Sequence, residues 1–366
     1  MDCKLTIIDM RGALPQSETP LMLRELLFCP VLSWVGQELA ACGVQRYFVI
    51  CATAWQEQAR EALVSCGGEL RLFTSPEEAV EAAEEPYLLL PEPVAPVYGP
   101  EEPLYALCGG VKEAADPAAL WQRDTTPPSF RPIHSAAELT LAMPAARELL
   151  TRRMIGGGVH IIDPGNTYVD PRCTVEPGAV LLPGCILRGH TRIGGGCVIG
   201  PNSMLTDCVV GRDTTVNASQ LTDSVVGNNT TVGPFAYVRP GCTIGDHCRV
   251  GDFVEMKNST IGDGTKISHL TYVGDSDVGQ RVNFGCGTVT TNYDGHKKFR
   301  CTIGDDVFLG CNTNLIAPVC IGDRAYTAAG STVTGDVPAG ALAIARARQV
   351  NKDGWADRLR KSWKKN

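Results

Sequence analysis

The chain has sixteen cysteines and not one Cys-x-x-Cys pair, so the spacing that zinc ribbons and dithiol redox sites use is missing. It has no apolar run near the roughly 20 residues that cross a membrane. Met1-Asp2-Cys3-Lys4 leads straight into a strand-like segment, without the apolar core of a signal peptide. Positive charge is in deficit, with 33 Lys and Arg against 40 Asp and Glu, which gives no general footing for nucleic acid. A reduced, cytoplasmic setting is expected, with no membrane or nucleic-acid partner.

What the chain has in abundance is a six-residue beat. Val175, Leu181, Leu187, Ile193, Ile199 and Leu205 open a ladder that continues, after some five-residue steps, through Val226, Val232, Val238, Ile244, Val250 and Met256. It passes Ile261, Ile267, Val273, Val278 and Phe284, breaks, and ends as Ile303, Leu309, Leu315, Ile321, Thr327 and Val333. This period reads as a hexapeptide parallel β-helix, in which each repeat is one short strand pointing its aliphatic residue into a narrow prism. Three repeats make a coil, so residues about 18 apart stack at a strand spacing of about 4.8 Å.

A second register accompanies the first. Two positions before the aliphatic residue stands a small one, as at Thr191, Ser203, Thr214, Thr230, Ser259, Thr265 and Thr271. Cys173, Cys185, Cys197, Cys208, Cys242, Cys248 and Cys301 fall in that slot, which accounts for seven thiols as prism-facing residues. The glycines after the aliphatic position, among them Gly200, Gly227, Gly233 and Gly245, are expected at corners of positive φ.

Upstream, strands at Leu5–Asp9, Phe48–Cys51, Leu70–Phe73 and Tyr87–Leu90 alternate with helical runs at Ser33–Ala41, Trp55–Val64 and Glu77–Glu84. That order predicts a doubly wound parallel α/β domain. The loop after its first strand, Asp9-Met10-Arg11-Gly12-Ala13-Leu14-Pro15-Gln16-Ser17, has one glycine and no lysine, a poor cradle for phosphate. Arg11 reads either as an anion contact or as a solvated surface residue. Thr125–Pro132 reads as a linker and Ser135–Met154 as a helix stopped by Gly156-Gly157-Gly158. The expected boundaries are 1–125, a connecting segment 126–168, a solenoid 169–345 and a basic arm 346–366. The arm is either a solvated helix or a phosphate-contacting segment.

Within the ladder, Arg239 follows Val238 and Lys257 follows Met256, three six-residue steps on. The two cations should stack on one face. At about 5 Å and an effective dielectric near 20 they repel by roughly 3 kcal/mol, a cost that a bound phosphate reverses and that splayed, solvated side chains avoid. Tyr272 precedes Val273 on the same face, Glu255 sits beside Lys257, and His269 lies at the corner leading in. An imidazole titrating near 6.5 is suited to general-base work, although an isolated histidine is commonly structural. The ladder break, Gly285–Phe299, supplies Asn292 and a third cation, Lys298, and reads as a binding loop or a plain bulge.

These residues carry a resemblance. Gly233-Pro234-Phe235-Ala236, Val238-Arg239-Pro240-Gly241, Phe253-Val254-Glu255-Met256-Lys257, His269-Leu270-Thr271-Tyr272, Asn292-Tyr293-Asp294-Gly295, Gly304-Asp305-Asp306-Val307-Phe308 and Ala341-Leu342-Ala343-Ile344 stand in a stretch, about Arg152 to Trp355, that resembles the acetyltransferase domain of the bacterial bifunctional N-acetylglucosamine-1-phosphate uridyltransferases/glucosamine-1-phosphate acetyltransferases. The resemblance implies a left-handed β-helix, a homotrimer with sites between subunits, acetyl-CoA as donor, no need of Mg2+ for the acetyl step, and a place in UDP-N-acetylglucosamine and peptidoglycan precursor synthesis. It implies His269 as proton acceptor oriented by Glu255; backbone or amide donors near Asn292 and Tyr293 are expected to stabilise the oxyanion. It implies sugar-phosphate contacts from Arg239, Lys257, Tyr272, Asn283 and Lys298. It implies acetyl-CoA contacts from Cys286, Asn292, Tyr293, Cys311, Ala328 and Arg346, where Cys286 and Cys311 stand in place of the family's alanine and serine.

Upstream the same family offers a contrast. Its uridyltransferase domain opens with a Leu-Ala-Ala-Gly-x-Gly-Thr-Arg-Met loop and a Leu-Pro-Lys turn. Here the loop is Ile8–Leu14, Leu21 stands at the lysine's place, and the metal-binding Gly-Asp turn is replaced by Leu90-Pro91-Glu92-Pro93. The domain is also shorter by about 80 to 100 residues than one holding nucleotide and sugar together. A degenerate nucleotidyltransferase-like domain is expected, with uridyltransferase activity lost. Three rivals stay open: an acyltransferase for another amino sugar or sugar nucleotide, a non-catalytic trimeric scaffold, and a zinc hydratase on the same solenoid, which the spacing of the six histidines disfavours.

Overall fold

The computed structural model describes residues 4–12, 18–84, 87–96, 107–109 and 130–363. The expected 125/126 boundary, part of the first loop and the last two lysines of the arm lie outside the described residues.

In the N-terminal unit, Leu5–Asp9 is the central strand because its apolar residues bury on both faces. The sheet runs Glu69–Phe73, Arg46–Ile50, Leu5–Asp9, Tyr87–Leu90, Leu107–Gly109, with the first four parallel and the last antiparallel. Helices Val31–Ala41 and Gln56–Leu63 cover one face, with Ile8, Tyr47 and Val49. Helix Pro76–Glu81 covers the other through Ala79, against Leu5, Ile7, Phe48 and Ile50. The doubly wound architecture is therefore present, with an antiparallel edge that the strand–helix alternation did not announce. Three residues assigned to the linker, Phe130–Pro132, form a strand paired antiparallel with Val94–Pro96, because Phe130 is fully buried there. The connecting helix, Ala136–Gly156, starts at Ser135, whose side chain accepts a hydrogen bond from the Glu138 amide at 3.2 Å. It is tied to the first helix by an ion pair between Arg153 and the buried Glu38.

From His160 onward the chain is a left-handed parallel β-helix with walls of eleven, ten and nine short strands. We call them the first, second and third walls in the order the chain meets them. Residues one coil apart pair in register, as Val238 with Met256 and Met256 with Val273 on the second wall. The aliphatic ladder fills the prism, and the small slot beside it is buried as the second register required, with Thr191, Ser203, Thr214, Thr265 and Ser331 at 0% exposure. All fourteen cysteines whose side chains are described are free thiols, and burial pushes Cys185, Cys208 and Cys301 up to about 11.

Two expectations about the solenoid need correction. Gly200 and Gly233 do have positive φ, but Gly227 and Gly245 do not. A Cβ on Gly227 would stand 2.6 Å from the carbonyl carbon of Gly245 in the next coil, so close approach of coils excludes the side chain there. Left-handed corners are taken by other glycines, such as Gly184, Gly196 and Gly287, and by Asp and Asn, such as Asp213, Asn229, Asn258 and Asp275. Nor does the ladder break at Phe284. Val289–Thr291 is a regular strand of the second wall, and buried Thr290 occupies the aliphatic slot opposite Leu315. A polar residue in an apolar position hid that repeat, and the true excursion is shorter, Asn292–Arg300, ending at strand Cys301–Ile303.

Candidate active site

On the second wall, Arg239 aligns with Lys257 across adjacent coils, and Glu255 pairs with Tyr272. Register alone places these four on one face. The Arg239 guanidinium donates to Glu255 Oε1 at 2.8 Å. Lys257 sits opposite Gly274; a Cβ at Gly274 would stand 2.4 Å from the Tyr272 hydroxyl and 2.8 Å from Asn292 Nδ2. The phenol and the amide thus lean over the bare backbone beneath Lys257.

The excursion is a built hairpin. Tyr293 and Lys298 form an antiparallel bridge, the Phe299 amide donates to the Asn292 carbonyl at 2.9 Å, and Asp294 accepts from the amides of His296 and Lys297 at 2.8 and 2.7 Å. Those amides hold the Asp294 carboxyl below its usual range. At its base Arg300 Nη2 reaches Asp277 at 2.5 Å. The hairpin returns Lys298 toward Lys257, whose ammonium is held below its ordinary value first by Lys298 and further by Arg239. Three cations meet here, and two carboxylates offset part of their charge, Glu255 by pairing with Arg239 and Asp275 by acting on Lys257, which leaves one positive charge in excess.

His269 ends strand Lys266–His269 of the first wall, at the edge where that wall turns into the second. It is therefore on the wall adjoining Arg239, Lys257 and Tyr272, at their shared edge, and not on the same wall. Its Nδ1 lies 2.6 Å from Asp252 Oδ1. Glu255, which the resemblance assigned to this histidine, is bonded to Arg239 instead. Asn292 is 7% exposed and its Nδ2 donates to Asp275, a buried carboxylate that also accepts from Asn258 Nδ2 at 2.5 Å.

Sequence reasoning missed Asp252 and Asp275. Each stands 17 residues before its partner, one coil containing a five-residue step, and that spacing was the available signal.

The remaining expected residues follow the same edge toward the C-terminus. Asn283 is on the first wall, in register with Lys266. Gly285, Gly310 and Ala328 stack in successive coils, placing Cys286 and Cys311 one above the other at corners. Arg346 lies past the last strand of that wall, its Cδ 3.7 Å from where a Gly330 Cβ would be.

At the C-terminal ends of the parallel strands in the N-terminal unit is a cavity of about 820 Å3 lined by Asp9, Arg11, Glu18, Trp55, Glu92 and His134 among others. Arg11 is spent on Asp9, donating through Nε and Nη2 at 3.0 and 2.7 Å. Glu92 is bonded to His134 Nε2 at 3.0 Å. Among the described residues no group of three or more His, Cys, Asp or Glu is arranged to hold a metal ion. No described helix is long and apolar enough to cross a membrane.

Residues 223–258 and 300–335 match the bacterial transferase hexapeptide (six repeats) family. The chain is similar to the Bifunctional protein GlmU of Clostridium acetobutylicum, at 49% identity over 226 residues that make up 62% of this chain and 50% of the relative. It is similar to the one of Geobacillus sp. strain WCH70 at 50% over 242 residues, 65% and 52% of the two chains. Among solved structures, Arabidopsis UDP-N-acetylglucosamine acyltransferase aligns at TM-score 0.42 and 20% identity, covering 54% of this chain and 75% of that one. The chain spans about half the length of the curated relatives it matches. The resemblance read from the motifs is borne out: this chain carries bacterial transferase hexapeptide repeats and, over about three fifths of its length, is a relative of the Bifunctional protein GlmU sequences.

Proposed function

We propose that this chain is an acyltransferase that moves the acetyl group of acetyl-CoA to the amine of glucosamine 1-phosphate, in a cytoplasmic pathway toward UDP-N-acetylglucosamine and peptidoglycan. The observation that carries the reading is the meeting of Arg239, Lys257 and Lys298 on a wall that adjoins the one ending in a histidine–carboxylate pair. Spare positive charge suits a phosphate monoester, and an imidazole at the adjoining edge suits an amine that must lose a proton on acylation.

In this reading the cations and Tyr272 seat the phosphate, with Asn283 on the adjoining wall. The amine attacks the thioester carbonyl, its C–N bond forms, and His269 Nε2 takes the proton. The Asn292 amide, held by Asp275, faces the oxyanion. When the C–S bond breaks, the thiolate of CoA receives that proton. Cys286, Cys311, Ala328 and Arg346 line the edge along which the coenzyme would lie, and Tyr293 would reach it from the hairpin at the other edge of the second wall.

Phe235, Phe253 and Leu270 project from successive corners of this edge at 60, 59 and 58% exposure, with the two rings stacked at 5.7 Å. An apolar strip beside an open site fits a homotrimer with sites between subunits. The engagement of Arg11 by Asp9 and of Glu92 by His134 supports loss of uridyltransferase activity from the N-terminal unit.

One assay tests the reading. Purified protein with acetyl-CoA and glucosamine 1-phosphate should release thiol, while UTP with N-acetylglucosamine 1-phosphate should give no pyrophosphate. Thiol release that needs a different amino sugar moves the chain to the rival acyltransferases; binding of neither substrate moves it to a scaffold.

A further inference from the structure

The first wall has eleven strands, and nine of them contain two residues. The exceptions are neighbours, Arg249–Asp252 and Lys266–His269, each four residues long. The lengthening continues the ladder past its usual end, so that Asp252 pairs with His269 and the Leu270 amide donates to the Asp252 carbonyl at 3.0 Å. It is possible because Gly251 faces Ser268 without a side chain: a Cβ there would be 2.0 Å from the Ser268 carbonyl oxygen. Backbone register, and not a chance swing of surface side chains, brings the carboxylate to the imidazole.

The bond has a definite sense. A carboxylate accepts only, so Nδ1 carries the hydrogen and Nε2 keeps its lone pair. That bond is also the first cause holding the Asp252 carboxyl below its usual range, ahead of the backbone amide contact and the charges of His269 and Arg249. The other acid in the neighbourhood, Glu255, has Oε1 engaged by Arg239 at 2.8 Å.

We infer that Asp252 is the residue that positions His269, fixing its Nδ1–H tautomer and steadying the imidazolium formed when Nε2 takes the amine proton, while Glu255 acts on the acceptor's side through Arg239. The inference rests on the acetyl-transfer reading above for its catalytic meaning and on the strand register for its geometry.

The test uses the full chain labelled with nitrogen-15 histidine, with His269 assigned by the loss of its signals in His269→Gln. Solid-state spectra of wild type should show His269 with hydrogen on Nδ1. Asp252→Ala should give a mixture of tautomers and lower kcat by about 10²-fold with KM for glucosamine 1-phosphate unchanged; Asp252→Asn, which keeps an acceptor oxygen, should recover part of that loss. Glu255→Gln should raise the acceptor KM and leave the tautomer alone. An unchanged tautomer in Asp252→Ala, or a tautomer that shifts in Glu255→Gln instead, overturns the inference. Wild-type protein without thiol release overturns the acetyl-transfer reading separately, and the spectra still decide whether Asp252 governs the imidazole.

Discussion

Gly251→Ala puts one methyl group at the point where the two long strands touch. The added Cβ would meet the Ser268 carbonyl oxygen at 2.0 Å, the carbonyl carbon at 2.7 Å and the Cα at 3.0 Å. All of these atoms are backbone, so no side chain can swing aside. Restoring ordinary contact requires the strands to part by about 1.4 Å. The Asp252–His269 bond, 2.6 Å long, would then open to about 4 Å, outside hydrogen-bonding range. Overpacking of this kind costs about 1 to 3 kcal/mol, and a displacement of about 1 Å at a reacting group costs about 10²-fold in rate. The variant should therefore melt earlier and, per folded molecule, turn over about 10²-fold more slowly in the thiol-release assay. Gly227→Ala is the comparison, since its Cβ would strike the Gly245 backbone at 2.6 Å on a different edge of the prism. It should lose stability and keep kcat. Equal kcat in Gly251→Ala and wild type would refute the idea that strand contact sets the imidazole.

Lys257 is held below its ordinary value by Lys298 and Arg239, and a bound dianion reverses that repulsion, so its value rises on binding. Glucose 1-phosphate binding should take up protons above about pH 8, where the phosphate monoester is already a dianion. Affinity should be full below the depressed free value and fall as pH climbs from there to the value in the complex. Calorimetry in two buffers of different ionisation heat measures the uptake; Lys298→Met should shrink it and weaken binding about tenfold, and uptake unchanged in that variant would show that Lys298 is not the cause. Phe253→Asp puts a charge on the exposed ring stack with Phe235. Light scattering should show the proposed trimer replaced by monomer, with acetyl transfer lost in parallel; a variant that stays trimeric removes the strip from the interface.

The prism was determined by sequence alone. A strand of two or three residues has one inward position, filled mostly by an aliphatic with a thiol or hydroxyl beside it, so the repeat writes both registers into the order of residues. The stacking of Arg239 on Lys257 follows from the same arithmetic, because one coil is one strand spacing. Tertiary structure decided what arithmetic could not. Thr290 continues the ladder because its wall neighbours bury it, not because of its own chemistry. Asp252 reaches His269 only because two strands run on past their usual end, with Gly251 leaving room for the close approach of their backbones. Glu255 was expected to orient His269, and Arg11 to contact an anion or stand in solvent; each is engaged instead by a neighbour whose direction only the folded backbone sets.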